Sequence, residues 1–227
     1  MTKLFILPFI SAALLIGACA QEPSQRGQIG PVEAASQVDS QGLAPRSSGL
    51  DEVAAAFAFD MSGAKVFVAP VEIGYTKRFS SVPRNSYREK DYELDQKDLQ
   101  QMNALLARTF AEKFLAPRNS VVVADQQEAD YTLSLSLEKF SVAAPLEPSA
   151  WAWRVYTEQS AYGVLVGTLY DREGNPVLRF RDRRDIGENF GGPGPGGRLE
   201  RFTSVTFWSD MRVDMRRAFA SLNRTLL

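Results

Sequence analysis

Apolar and polar positions divide this chain into a short apolar N-terminal run, a polar stretch, and a long region in which two periodicities take turns. Lys65 to Ile73 is β-branched and nearly continuous in apolar character, which predicts a strand, with Pro70 removing one ladder donor. From about Gln96 to Leu115 the spacing changes. Leu99, Met102, Leu106, Phe110 and Phe114 recur every three or four residues, so one face of a helix is apolar. Asp95 is placed to cap it, Lys113 and Arg118 suit its negative end, and Ala116-Pro117 stops it. Val121-Val122-Val123 predicts a short buried strand. Tyr131, Leu133, Leu135 and Leu137 alternate with Thr132, Ser134, Ser136 and Glu138, the period of a strand with one buried and one wet face. Tyr162 to Asp171 and Val177 to Arg184 predict a hairpin closed through Asp171-Arg172-Glu173-Gly174-Asn175. A final helix starts near Thr203 or Ser204, with Trp208, Met211, Met215, Phe219 and Leu222 as its stripe. The order β-α-β-β-β-β-α predicts an α+β fold, a mainly antiparallel sheet with two helices packed against it.

The N-terminal run has a different meaning. Lys3 precedes Leu4 to Ile16, an apolar stretch of about 13 residues, the length of a signal-peptide core and too short to cross about 30 Å of hydrocarbon. Leu15-Ile16-Gly17-Ala18-Cys19 then resembles the bacterial lipobox, which implies cleavage before Cys19 and a lipid thioether on it. An ordinary signal peptide that happens to contain a cysteine is the alternative. Cys19 is the chain's sole cysteine and cannot close an internal disulfide, which favours lipidation. Two or three acyl chains would hold the protein firmly at a membrane. By resemblance to Gram-negative lipoproteins, Ala20 after the cysteine implies sorting to the inner leaflet of the outer membrane, with the domain facing the periplasm.

From Cys19 to Ser48 the chain is rich in Gln, Ser, Gly and Pro, and we expect a flexible tether spanning roughly 30 Å. Gly49 to Leu227 is then a single folded domain. The 44% of hydrophobic residues suits a globular core, and a net charge of −1 gives no general attraction for nucleic acid.

Candidate chemistry is sparse. The sequence has no histidine, so Ser-His-Asp and Cys-His catalysis are excluded, and no cofactor or metal site is expected. Asp91, Glu93, Asp95 and Asp98 lack a calcium-loop glycine and read as a polar loop leading into a helix start. Gly192-Pro193-Gly194-Pro195-Gly196-Gly197 contains a G-x-G-x-x-G spelling, but its prolines remove the amide donors a phosphate would need. Two groups stand out as candidate partner-binding residues. Arg179, Arg181 and Arg183 alternate on the last strand and could grip phosphate or carboxylate, although Glu173, Asp182 and Asp185 favour a solvated, self-paired face. Trp151, Trp153 and Tyr156 form an aromatic cluster, either a loop for a partner or membrane surface, or, as the alternation with Val155 favours, a core strand.

Several short motifs resemble the DUF3313 family of bacterial lipoproteins: the strand ending in Val68-Ala69-Pro70-Val71-Glu72, the helix entry Tyr92, Leu94, Asp98 and Leu99, and Ala129-Asp130-Tyr131-Thr132-Leu133. Asp182-Arg183-Arg184, and Trp208, Ser209, Asp210 and Arg212, are similar to it as well. The resemblance implies an envelope lipoprotein of unassigned function and carries no catalytic residues. Two function classes follow. One is a non-enzymatic accessory or adaptor domain that binds another envelope component. The other is a ligand-binding or carboxylate-based hydrolytic domain acting on an envelope glycan or similar molecule, which would need two carboxylates across a cleft.

Overall fold

In the computed structural model, residues 38–76, 92–146, 155–188 and 199–226 are described. Among the described residues, ten strands and two long helices follow one another: β1 (Ala44–Pro45), β2 (Glu52–Ala55), β3 (Lys65–Val68), β4 (Glu72–Tyr75), α1 (Gln96–Phe110), β5 (Val121–Val123), β6 (Tyr131–Val142), β7 (Tyr156–Thr157), β8 (Ala161–Tyr170), β9 (Pro176–Ile186), β10 (Glu200–Arg201) and α2 (Ser204–Thr225). The main sheet runs β1-β2-β9-β8-β6-β3-β5, with β4 also paired to β6. The β1/β2, β2/β9, β8/β9 and β6/β8 pairs are antiparallel, while β3/β6, β4/β6 and β3/β5 are parallel. This is the expected α+β fold, with a mainly antiparallel sheet and two helices.

Pro70 divides the first predicted strand in two. Ala69 still donates to the Leu133 carbonyl at 2.9 Å, but the Val71 amide turns to Asn103 Oδ1 on α1 at 2.7 Å. The break that proline imposes is thus where the first helix is fastened to the sheet. β3 and β4 run beside successive stretches of β6, at Tyr131 to Leu133 and at Ser136 to Phe140.

Asp95 caps α1 by accepting from the Asp98 amide at 2.7 Å. The helix then widens into a π-turn over Ala111–Leu115 and tightens into a 3₁₀ turn over Ala116–Arg118. The wide turn lets consecutive Phe114 and Leu115 both be buried. Arg118 satisfies the exposed end of the ladder by donating to the Phe114 carbonyl at 2.9 Å, while its guanidinium lies 4.2 Å from the Phe114 ring centre. At the start of α2, Thr203 and Thr206 cap each other's amides.

Both helices cover one face of the sheet. Leu133, Leu135, Leu137, Leu165, Leu169, Leu178 and Phe180 share a continuous core with Met102, Leu106 and Phe110 of α1 and Met211, Met215 and Phe219 of α2. Aromatic rings join the layers: Phe219 meets Phe110 edge-on at 5.3 Å and Phe180 edge-on at 6.2 Å. Burying each such ring contributes about 1.5–3 kcal/mol. The register makes room for Phe180, since Gly167 lies directly opposite and a β-carbon there would fall 2.1 Å from the ring. In β6, Lys139 takes a φ of 51° and the register with β8 shifts, so Phe140 and Val142 return to the buried face.

Two expectations need correction. β5 exists but is not buried: Val121 is 54% exposed and Val122 39% exposed, because this strand ends the sheet and pairs with β3 alone among the described residues. A β-branched run reports a pleated surface, not its depth. Second, the folded region begins before Gly49. Leu43 is fully buried, and Ala44 and Pro45 pair with Ala55 and Ala54, so residues 38–48 belong to the domain rather than to a tether.

Candidate functional site

Because side chains alternate along β9, its odd-numbered arginines face away from the helices. Arg179 is paired across the sheet with Ala54 and Thr168, Arg181 with Glu52 and Val166, and Arg183 with Val164. These neighbours, with Ser134, Ser136 and Glu138 of β6, form the face of the sheet turned away from α1 and α2. At its β2 edge, the segment from Asp39 to Arg46 folds over β9 and encloses a cavity of about 510 Å³. Leu43, Pro45, Ala54 and Val166 give the cavity an apolar lining, and Arg46, Arg179 and Arg181 give it guanidinium groups.

Each arginine is positioned by a different partner. Arg179 pairs with Asp39 at 2.5 Å and donates to Gln41 Oε1 at 3.0 Å. Asp39 is itself fixed by accepting the amides of Gln41 and Leu43, both at 2.9 Å. The Leu43 amide foremost, then the Gln41 amide and Arg179, holds the Asp39 carboxyl below the ordinary aspartate range. Arg181 pairs with Glu138 two strands away at 2.8 Å. Arg46 donates to the Ala56 carbonyl at 3.2 Å. The Arg183 side chain is exposed and has no acidic partner among the described residues, while its amide donates to Asp51 Oδ2 at 2.9 Å.

Arg179 and Arg181 are thus paired on this face, and by acids other than the expected ones. Asp182, expected to serve the row, points the other way. It is buried on the helix side, pairs with Arg184 and accepts from the Asp51 amide at 3.3 Å. Alternation along the strand places a residue next in sequence on the opposite face. The acids that do pair with the row come from residues 39 and 138, and nothing local in the sequence connects them to it.

Of the acids lining the cavity, Asp39 is engaged by Arg179 and by the Gln41 and Leu43 amides, and Asp51 accepts the Arg183 amide. The carboxyls that burial pushes up are Asp182 and Asp210, both outside the cavity lining. Asp210 accepts from the Ser160 hydroxyl and Asp214 accepts the Gly187 amide at 2.9 Å, so these α2 acids pin the start of β8 and the end of β9. The arrangement can hold a ligand through guanidinium and apolar contact.

Of the aromatic candidates, Tyr156 is 53% exposed in a small two-stranded pairing of β7 with β10, opposite Arg201. Val155 beside it packs on the core, while Tyr156 lies on the surface. Trp151 and Trp153 lie outside the described residues, as do Cys19 and most of the glycine-proline loop.

No family model and no curated protein matches this chain. Solved structures similar to it include the PelC dodecamer from Paraburkholderia phytofirmans, at 16% identity and a TM-score of 0.39, covering 74% of this chain and 96% of that one. Protein XCC0632 from Xanthomonas campestris, of family DUF330, is 11% identical with a TM-score of 0.33, over 78% of this chain and 90% of that one. A structure described as a neuraminyllactose-binding hemagglutinin homolog from Helicobacter pylori is 7% identical with a TM-score of 0.36, over 75% and 91% of the two chains. Likenesses at these scores carry no argument about what this chain does.

Proposed function

We propose that the chain is a lipid-anchored envelope lipoprotein whose domain acts as a non-enzymatic accessory module, binding another envelope component. The signal-like run, the lone Cys19 and the following Ala20 support anchoring at the inner leaflet of the outer membrane. The observation that carries the binding role is the cavity beside Asp39 to Arg46, where Arg46, Arg179 and Arg181 and the acids Asp39, Asp51 and Glu52 border an apolar lining. Such a mixture suits a chain segment carrying charged and apolar groups together.

Photocrosslinking in cells tests this. A crosslinker at Arg183 should capture one recurrent envelope protein, and Arg181→Glu in the same chain should abolish the adduct. No adduct, or the same adduct from the exposed control position Val205, would defeat the binding role. Mass spectrometry of the membrane fraction separates the anchoring question. A diacylglyceryl thioether on Cys19 is expected, and an unmodified thiol there overturns it.

A further inference from the structure

We propose that the outer groove between α1 and α2 is a phosphate-binding site, on the opposite side of the molecule from the arginine row. It is a cavity of about 370 Å³ bordered by Arg108, Thr109, Glu112, Arg212 and Arg216. The charge arrangement starts in the sequence of α2. Its acids, Asp210 and Asp214, are drawn inward by Ser160 and the Gly187 amide, whereas Arg212 and Arg217 are left exposed. In a chain with a net charge of −1, this concentrates positive charge on one helical surface.

Within the groove, three guanidinium groups face a single carboxylate. Glu112 is shared between Arg216 at 2.5 Å and Lys113 at 3.4 Å, and Thr109 is occupied in donating to the Leu105 carbonyl. Arg108 and Arg212 have no acidic partner among the described residues. A bound oxyanion would relieve the repulsion between these like charges, and a phosphate offers tetrahedral acceptors to donors converging from two helices, where a carboxylate offers two coplanar ones. The polar lining disfavours an apolar occupant. A small soluble phosphate and a phospholipid headgroup share this chemistry.

Calorimetric titration of the full chain with pyrophosphate at low salt, together with sedimentation with phosphatidylglycerol-containing or pure phosphatidylcholine vesicles, decides it. Replacing both Arg108 and Arg212 with Gln should weaken phosphate binding by about tenfold or more. Glu112→Gln should strengthen it by about threefold by freeing Arg216, a gain that misfolding cannot mimic. Arg172→Gln, in the exposed turn between β8 and β9, should leave it unchanged. Saturable pyrophosphate binding that follows this pattern identifies a soluble ligand. The same pattern in the excess retention by phosphatidylglycerol vesicles, without pyrophosphate binding, identifies a headgroup. If neither probe responds to the double substitution, or Arg172→Gln weakens binding equally, the site does not exist.

Discussion

Strand β9 puts two environments one residue apart. Toward the helices it presents Leu178, Phe180, Asp182, Arg184 and Ile186; toward the open side it presents Arg179, Arg181, Arg183 and Asp185. The charged residues differ little in type between the two faces, yet their situations differ. Asp182 is 4% exposed and burial pushes its carboxyl up, whereas Asp39, reached from the open face by Arg179, has its carboxyl held down. Depth thus separates charges that build the core's rim from charges that remain available for binding. The helix side should govern stability and the open side recognition.

The largest test of that division is Phe180→Ala. The ring is 1% exposed and touches both Phe219 and the backbone at Gly167, so truncation should cost about 3–5 kcal/mol in a denaturant titration. A loss near that of a surface substitution would break the contrast between the faces. Gly167→Ala probes the same contact from the neighbouring strand. Its β-carbon would force the Phe180 ring aside, at about 1–3 kcal/mol. In a Phe180→Ala background that cost should disappear, because the new methyl group occupies the emptied space. The double-mutant cycle should therefore be strongly non-additive, and simple additivity would show that the two residues do not share the site.

Sequence periodicity reveals the helix side well. The stripes of both helices, the cap at Asp95 and the alternation of β6 are local signals, and the structure contains each of them. The open side is less legible because its parts meet only through the sheet. Glu52-Val53-Ala54-Ala55 lacks the β-branched enrichment of a strand, so β2 is hidden, and β1 is hidden in a stretch whose composition resembles a linker. With those strands missed, the cavity they help to form with β9 was invisible too. The arginine row could be read from its spacing, but Asp39 and Glu138 are joined to it by register, 140 and 43 residues away. Tyr156 shows the converse limit: its neighbour Val155 follows the expected pattern, while the pattern alone does not say that the strand is two residues long.

The smallest expected effect is also the most specific. Arg179→Gln removes an exposed pair and should leave the unfolding midpoint near neutral pH within the spread of ordinary surface substitutions. Its signature lies in acid. A carboxyl whose folded pKa is depressed contributes stability above its unfolded pKa and loses that contribution as pH falls through the folded one. Asp39 is such a group, held down first by the Leu43 amide and further by Gln41 and Arg179. Removing Arg179 brings its folded pKa back toward the unfolded value, so the variant has less to lose on acidification. The gap between wild type and Arg179→Gln should accordingly close as pH is lowered from neutral through the depressed pKa of folded Asp39. Arg183→Gln, whose side chain has no acidic partner among the described residues, should give a gap independent of pH. A gap for Arg179→Gln that widened in acid would mean that Arg179 stabilises the domain by packing. The open face would then belong to the same structural regime as the helix side.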